Sequence, residues 1–185
     1  MFCPYWLLFS VVFLSPAFSQ NTSTQPVKSK VSNSCSSQRL ETLTTQLMLD
    51  LPSYANRVTQ RSRRMSRDVD IYSYIVAAGK PELNKLPLNA GINVDNQYES
   101  SGVEQVLFTT LERQYTNNKK IELQQFHWLF LTKTKMGWQV VMMFTRSGEY
   151  PVKSLLSPPR NSSNGAIAQA VKLWLRDCEA GSLRI

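Results

Sequence analysis

Histidine occurs once in the 185 residues, at position 127, and cysteine three times. A zinc site takes three or four protein ligands, so a metal centre here would have to rest on carboxylates, and none stands at ligand spacing. No cofactor is expected. The sequence also lacks a glycine-rich phosphate loop, a G-x-G-x-x-G turn and a G-x-S-x-G elbow, which removes the usual nucleotide-binding and serine-hydrolase signatures. Catalytic residues are assigned to none of the positions, and an enzyme is the weaker reading.

The apolar run Leu7–Leu14 is far shorter than the roughly 20 residues that cross a bilayer as a helix. It has the length of a signal-peptide core. Ala17-Phe18-Ser19 places small residues where a signal peptidase reads, so residues 1–19 are expected to leave before Gln20. The run before it has no Lys or Arg, and an uncleaved anchor is the competing reading. Export with cleavage implies a periplasmic or secreted protein of the cell envelope. It also removes Cys3, leaving Cys35 and Cys178 in an oxidising compartment, where a pair bonds more often than it stays free.

What is present falls into zones. Residues 20–34 are small and polar and read as a flexible tether. Residues 35–185 read as a single α+β domain. Leu40, Leu43, Leu47, Leu51, Tyr54 and Val58 step by three and four, one apolar helical face. Pro52 predicts a kink there or the start of a second helix. The formal charge is +8; residues 20–67 carry +6 of it and residues 68–185 only +2.

Arg57, Arg61, Arg63, Arg64 and Arg67 crowd the end of that helical stretch. They form a candidate anion site for an anionic membrane surface or an acidic polymer. The plainer reading is a solvated helix end. Nucleic acid is disfavoured for an exported chain.

Further on, 69–79, 103–115, 119–134 and 138–146 read as four strands. A turn at Asn117-Asn118 pairs Arg113 with Glu122 and Leu107 with Trp128. A three-residue loop over 135–137 pairs Thr134 with Trp138, Phe130 with Met142 and Trp128 with Phe144. One face collects Leu107, Leu111, Phe126, Trp128, Phe130, Trp138, Val140, Met142 and Phe144, and the helices are expected to pack on it. The other collects Val106, Phe108, Leu123, Leu129, Leu131, Val141 and Met143, and needs another cover: the 80–101 connection, a second subunit in a homodimer, or a ligand in a cleft. His127 sits on this second face between Thr145 and Phe108. It reads first as a structural position, ahead of a catalytic base or metal ligand. Glu104 and Glu112 share its face toward the strand ends.

The region 150–162 reads as a loop. "SNGAIAQAVKLWLRDC" closes the chain as a helix capped by Ser163 or Asn164, with Ile167, Val171, Trp174 and Cys178 on one face.

"VLFTTLERQYTNNKK", "FHWLFLTKTKMGWQVVMMFTR" and "SPPRNSSNGAIAQAVKLWLRDC" together resemble a group of exported proteins from cyanobacteria. The resemblance implies export and supplies no site residue. The order of elements is similar to cystatin-like or NTF2-like rolls, an analogy of fold that implies no function. The functional expectation is an exported, non-enzymatic binding or assembly protein that engages anionic partners through the arginine-rich helix end. The alternative is a small-ligand protein or enzyme with a site in a cleft on the sheet.

Overall fold

A computed structural model describes residues 35–65, 72–83, 102–116, 119–151 and 155–183, all within one compact unit. The leader, the tether, Arg67, the Asn117-Asn118 turn and most of the 80–101 connection lie outside the described residues. The fold is α+β. A 3-10 turn (Cys35–Ser37) leads into helix α1 (Leu40–Met65), then strands β1 (Tyr72–Ala78), β2 (Val103–Thr116), β3 (Lys119–Thr134), β4 (Gly137–Glu149) and β5 (Arg160–Asn161), then helix α2 (Ala166–Glu179). The strands form one antiparallel sheet in sequence order. The short β5, inside the stretch expected to be a loop, makes the sheet five-stranded rather than four.

Helix α1 runs unbroken through Pro52 instead of dividing there. An interior proline forfeits a backbone hydrogen bond at a cost of about 3 kcal/mol. Burial on both sides of it offsets that cost: Leu43, Leu47, Leu51, Tyr54, Ala55 and Val58 all lie in the core. Helix α2 starts later than its sequence suggests. Its N-cap is Gly165, without a side-chain cap bond. Ser163 is unavailable because its hydroxyl accepts the Met143 N–H at 3.0 Å.

Three ties join the helices. Cys35 and Cys178, both buried, form a disulfide with Cα atoms 5.7 Å apart. The indole N–H of the fully buried Trp174 donates to Asp50 Oδ2 at 2.8 Å. The Tyr54 hydroxyl donates to Asp177 Oδ2 at 3.0 Å. The bonded cysteines are in keeping with an oxidising compartment.

The sheet register matches expectation at Arg113–Glu122, Leu107–Trp128, Phe130–Met142, Trp128–Phe144 and both neighbours of His127. It departs at the β3–β4 turn. Gly137 has φ +94°, the left-handed conformation a glycine enters at little cost. It pairs with Thr134, however, so Trp138 stands opposite Lys133 rather than Thr134. The missing residue returns as a bulge. Phe130 pairs with Met142 and Leu131 with Val140, leaving Val141 unpaired and 45% exposed. A bulge moves every residue beyond it to the opposite face, so Trp138 and Val140 change sides.

The helices cover the face opposite to the one expected. The core is Val106, Phe108, Leu129, Leu131 and Met143 with both helices over them, and Trp138 and Val140 pack against it. The helices therefore lie on the His127 face. The opposite face holds Leu107, Leu111, Phe126, Trp128 and Phe144 half-buried and Met142 exposed.

Candidate functional site

The helix-covered face is not filled along its whole length. Between Thr59 of α1 and the first turn of α2, a cleft of about 650 Å³ remains. That is within the range of small-molecule sites. Its walls are Thr59 of α1, Ser73–Ile75 on β1, and the segment Arg160–Ile167, which carries β5 into the first turn of α2. Its floor is the sheet: Glu112, Gln125, His127, Met143 and Thr145. Polar residues can line this floor because each finds a partner.

His127 is the centre of that floor. Its ring is buried and stacks on Phe108, with centroids 4.7 Å apart. Nε2 lies 2.9 Å from Thr110 Oγ1, and Nδ1 lies 2.9 Å from Thr145 Oγ1. Thr145 Oγ1 is 2.7 Å from Ser162 Oγ, and Ser162 donates to the Met143 carbonyl at 3.3 Å. One proton direction serves the whole row. Ser162 gives its proton to the carbonyl, Thr145 gives to Ser162, the Nδ1–H of His127 gives to Thr145, and Thr110 gives to Nε2. The imidazole is thus neutral with both nitrogens engaged. Burial pushes its pKa down to about 3. A base or metal ligand in this position would first have to break one of the two threonine bonds.

Glu112 stands beside this row. Its carboxylate accepts from Gln114 Nε2 at 3.0 Å and from Gln125 Nε2. Glu104 lies opposite Leu131 at the far end of β2, so the two carboxylates are not brought together. Among the described residues, no group of His, Cys, Asp and Glu is placed to hold a metal ion, and no helix is long and apolar enough to cross a membrane.

Three arginines of the candidate cluster have described side chains. Arg57 and Arg61 are exposed on α1, whereas Arg63 turns toward the sheet. The Arg57 guanidinium sits 4.0 Å over the Tyr54 ring, and that of Arg63 sits 4.1 Å over the Tyr72 ring. The side chain of Arg64 and the whole of Arg67 lie outside the described residues. Arg57 and Arg63 are each engaged with a different tyrosine.

A second cluster, absent from the sequence reading, lies on the other face of the sheet. Tyr72 and Tyr115 are cross-strand partners, as are Tyr74 and Arg113. The three tyrosine rings are 6.0–6.2 Å apart, with Tyr74 and Tyr115 stacked. Arg113 donates through Nε and Nη2 to Glu122 Oε1 at 2.9 and 2.7 Å, and through Nη1 to the Tyr74 hydroxyl at 3.1 Å. The hydrogen bond from Arg113 holds the Glu122 carboxyl below the usual carboxylate range. Period-two spacing would have placed Tyr72 and Tyr74 together, but the β1–β2 pairing that adds Tyr115 crosses a long connection and cannot be counted off locally.

Set against known protein families, curated proteins and solved structures, the chain matches none.

Proposed function

We propose that this protein works outside the cytoplasm as a binding protein and holds a small polar ligand in the cleft above His127. The observation that carries the reading is the convergence of Thr59, Glu112, Gln125, Thr145, Arg160 and Ser162 around a cleft of about 650 Å³. A site that selects a ligand needs volume and a few placed polar groups, and this cleft has both. Donors and acceptors are mixed, which suits a molecule bearing hydroxyl or amide groups. The locked, neutral His127 favours binding over reaction, since a general base must have a free nitrogen within reach of its substrate. The Cys35–Cys178 bond and the leader-like residues 1–19, with removal before Gln20, support the compartment.

Exposure of Arg57 and Arg61 supports a second reading, an envelope protein that rests on an anionic surface through the end of α1. One experiment separates the two. The protein is purified from its native envelope, and small molecules are released by denaturation and identified by mass spectrometry. A stoichiometric polar compound supports the cleft. Its absence, together with selective binding to anionic over neutral vesicles at low salt, supports the surface.

A further inference from the structure

The tyrosine cluster on the β1–β2 end of the sheet is a surface of unusual make-up. Tyr72 is 47% and Tyr115 39% exposed, although aromatic rings in contact with one another would ordinarily be covered. Cations surround them. Arg63 sits over Tyr72, Arg113 beside Tyr74, and Lys120 stands opposite Tyr115 on β3, with its Nζ 3.5 Å from Glu122 Oε1. Among the described residues, three cations stand with one carboxylate, Glu122, around these rings.

We infer that this surface binds an acidic polysaccharide, with sugar rings laid against Tyr72 and Tyr115 and their carboxylates drawn to Arg63, Arg113 and Lys120. The partner must supply flat apolar faces and anions in short alternation. A pyranose ring with a uronic carboxylate does both: its C–H face packs on an aromatic ring and its carboxylate meets a guanidinium. An acidic peptide supplies the charge without the rings. Single-stranded nucleic acid supplies both, but the bonded cysteines accord with a compartment where it is rarely met. The inference does not rest on the cleft. The exposed rings point from the opposite face of the sheet, and only Tyr74 borders both regions.

The test is calorimetric titration of the purified full chain with alginate oligomers, dextran, poly-aspartate and a single-stranded oligonucleotide. Alginate is expected to bind, dextran not to, and poly-aspartate and the oligonucleotide to bind more weakly than alginate. Tyr72→Leu and Tyr115→Leu, which keep bulk but lose the flat ring, should each weaken alginate binding about fivefold, the order expected for one stacked ring. Tyr115→Phe should bind as the parent. Arg113→Gln should reduce both affinity and salt sensitivity. The cleft variant Thr59→Trp should bind alginate unchanged, which separates this surface from the cleft. Equal binding of poly-aspartate or dextran, tighter binding of the oligonucleotide, or folded Leu variants that bind as the parent would each overturn the inference.

Discussion

Asn56 meets both backbone groups of Ile75. Its Nδ2 donates to the Ile75 carbonyl at 3.0 Å, and its Oδ1 accepts the Ile75 N–H at 2.8 Å. The amide thus acts as one residue of a missing strand beside the edge strand β1, just ahead of the register shift between Ile75 and Ala77. It also fixes α1 against the sheet, and so sets one wall of the cleft. Asn56→Ala would leave a part-buried N–H and C=O unpaired, at a cost of about 1–3 kcal/mol. Asn56→Asp keeps the acceptor and loses the donor, so it should fall between. Urea unfolding of the three proteins gives the order. An alanine variant as stable as the parent would show that water replaces the amide.

The buried histidine makes a prediction about acid. In the unfolded chain it protonates near 6.5, and in the fold only near 3. Below 6.5 the unfolded state therefore gains protons that the folded state refuses. Stability is fully present above 6.5 and falls as the pH drops toward 3, by about 1.4 kcal/mol per pH unit once the unfolded histidine is protonated. The charged side chains that share the cleft are Glu112 and Arg160. His127→Gln keeps a donor and an acceptor between Thr110 and Thr145 and cannot protonate. It should be less stable than the parent at pH 7 but lose far less between pH 6.5 and 4.5. Parallel slopes for the two proteins across that window would show that other groups govern the acid transition.

The disulfide spans 143 residues of sequence. In the chain-entropy description a loop of this size stabilises by about 5 kcal/mol, a large share of a small domain's total. Cys35→Ala with Cys178→Ala should lower the urea midpoint sharply in non-reducing buffer, and reductant should lower the parent's midpoint while leaving the double variant unchanged. Because Trp174–Asp50 and Tyr54–Asp177 also join the helices, the double variant should still fold. Two titratable thiols in the denatured, unreduced parent would refute the bond.

Much of this arrangement was legible from residue order, and the limits have physical causes. Period-four spacing gave the buried face of α1 from Leu43 to Val58, and the period-two strands with their turns gave the neighbours of His127. Cys35 and Cys178 were paired by elimination. The covered face was misread, and the sides of Trp138 and Val140 were missed because Val141 leaves the ladder and a single bulge carries them across the sheet. Nothing in "VVMM", 140–143, marks which residue will step out, since all four are apolar. Pro52 suggested a break because local propensity says so, but the packing of the surrounding turns outweighs it. The cleft was beyond sequence reasoning. It is bounded by α1, all five strands and the start of α2, and only tertiary placement brings Thr59 near Ser162.

Filling the cleft tests whether its volume is what the protein uses. Thr59 stands on its α1 wall, half-buried, without a long-range hydrogen bond described for its side chain. Thr59→Trp would extend an indole into existing space and remove no core contact. A small stability change is expected, within about 1 kcal/mol, because the substitution lies at a partly solvated position rather than in the packed interior. The compound recovered from the parent protein should be lost. Thr59→Val, nearly the same size as threonine, should retain it and serves as the control for altered folding or export. If the tryptophan variant folds as the parent and carries the same compound at the same stoichiometry, the ligand sits elsewhere and the cleft is only a packing gap.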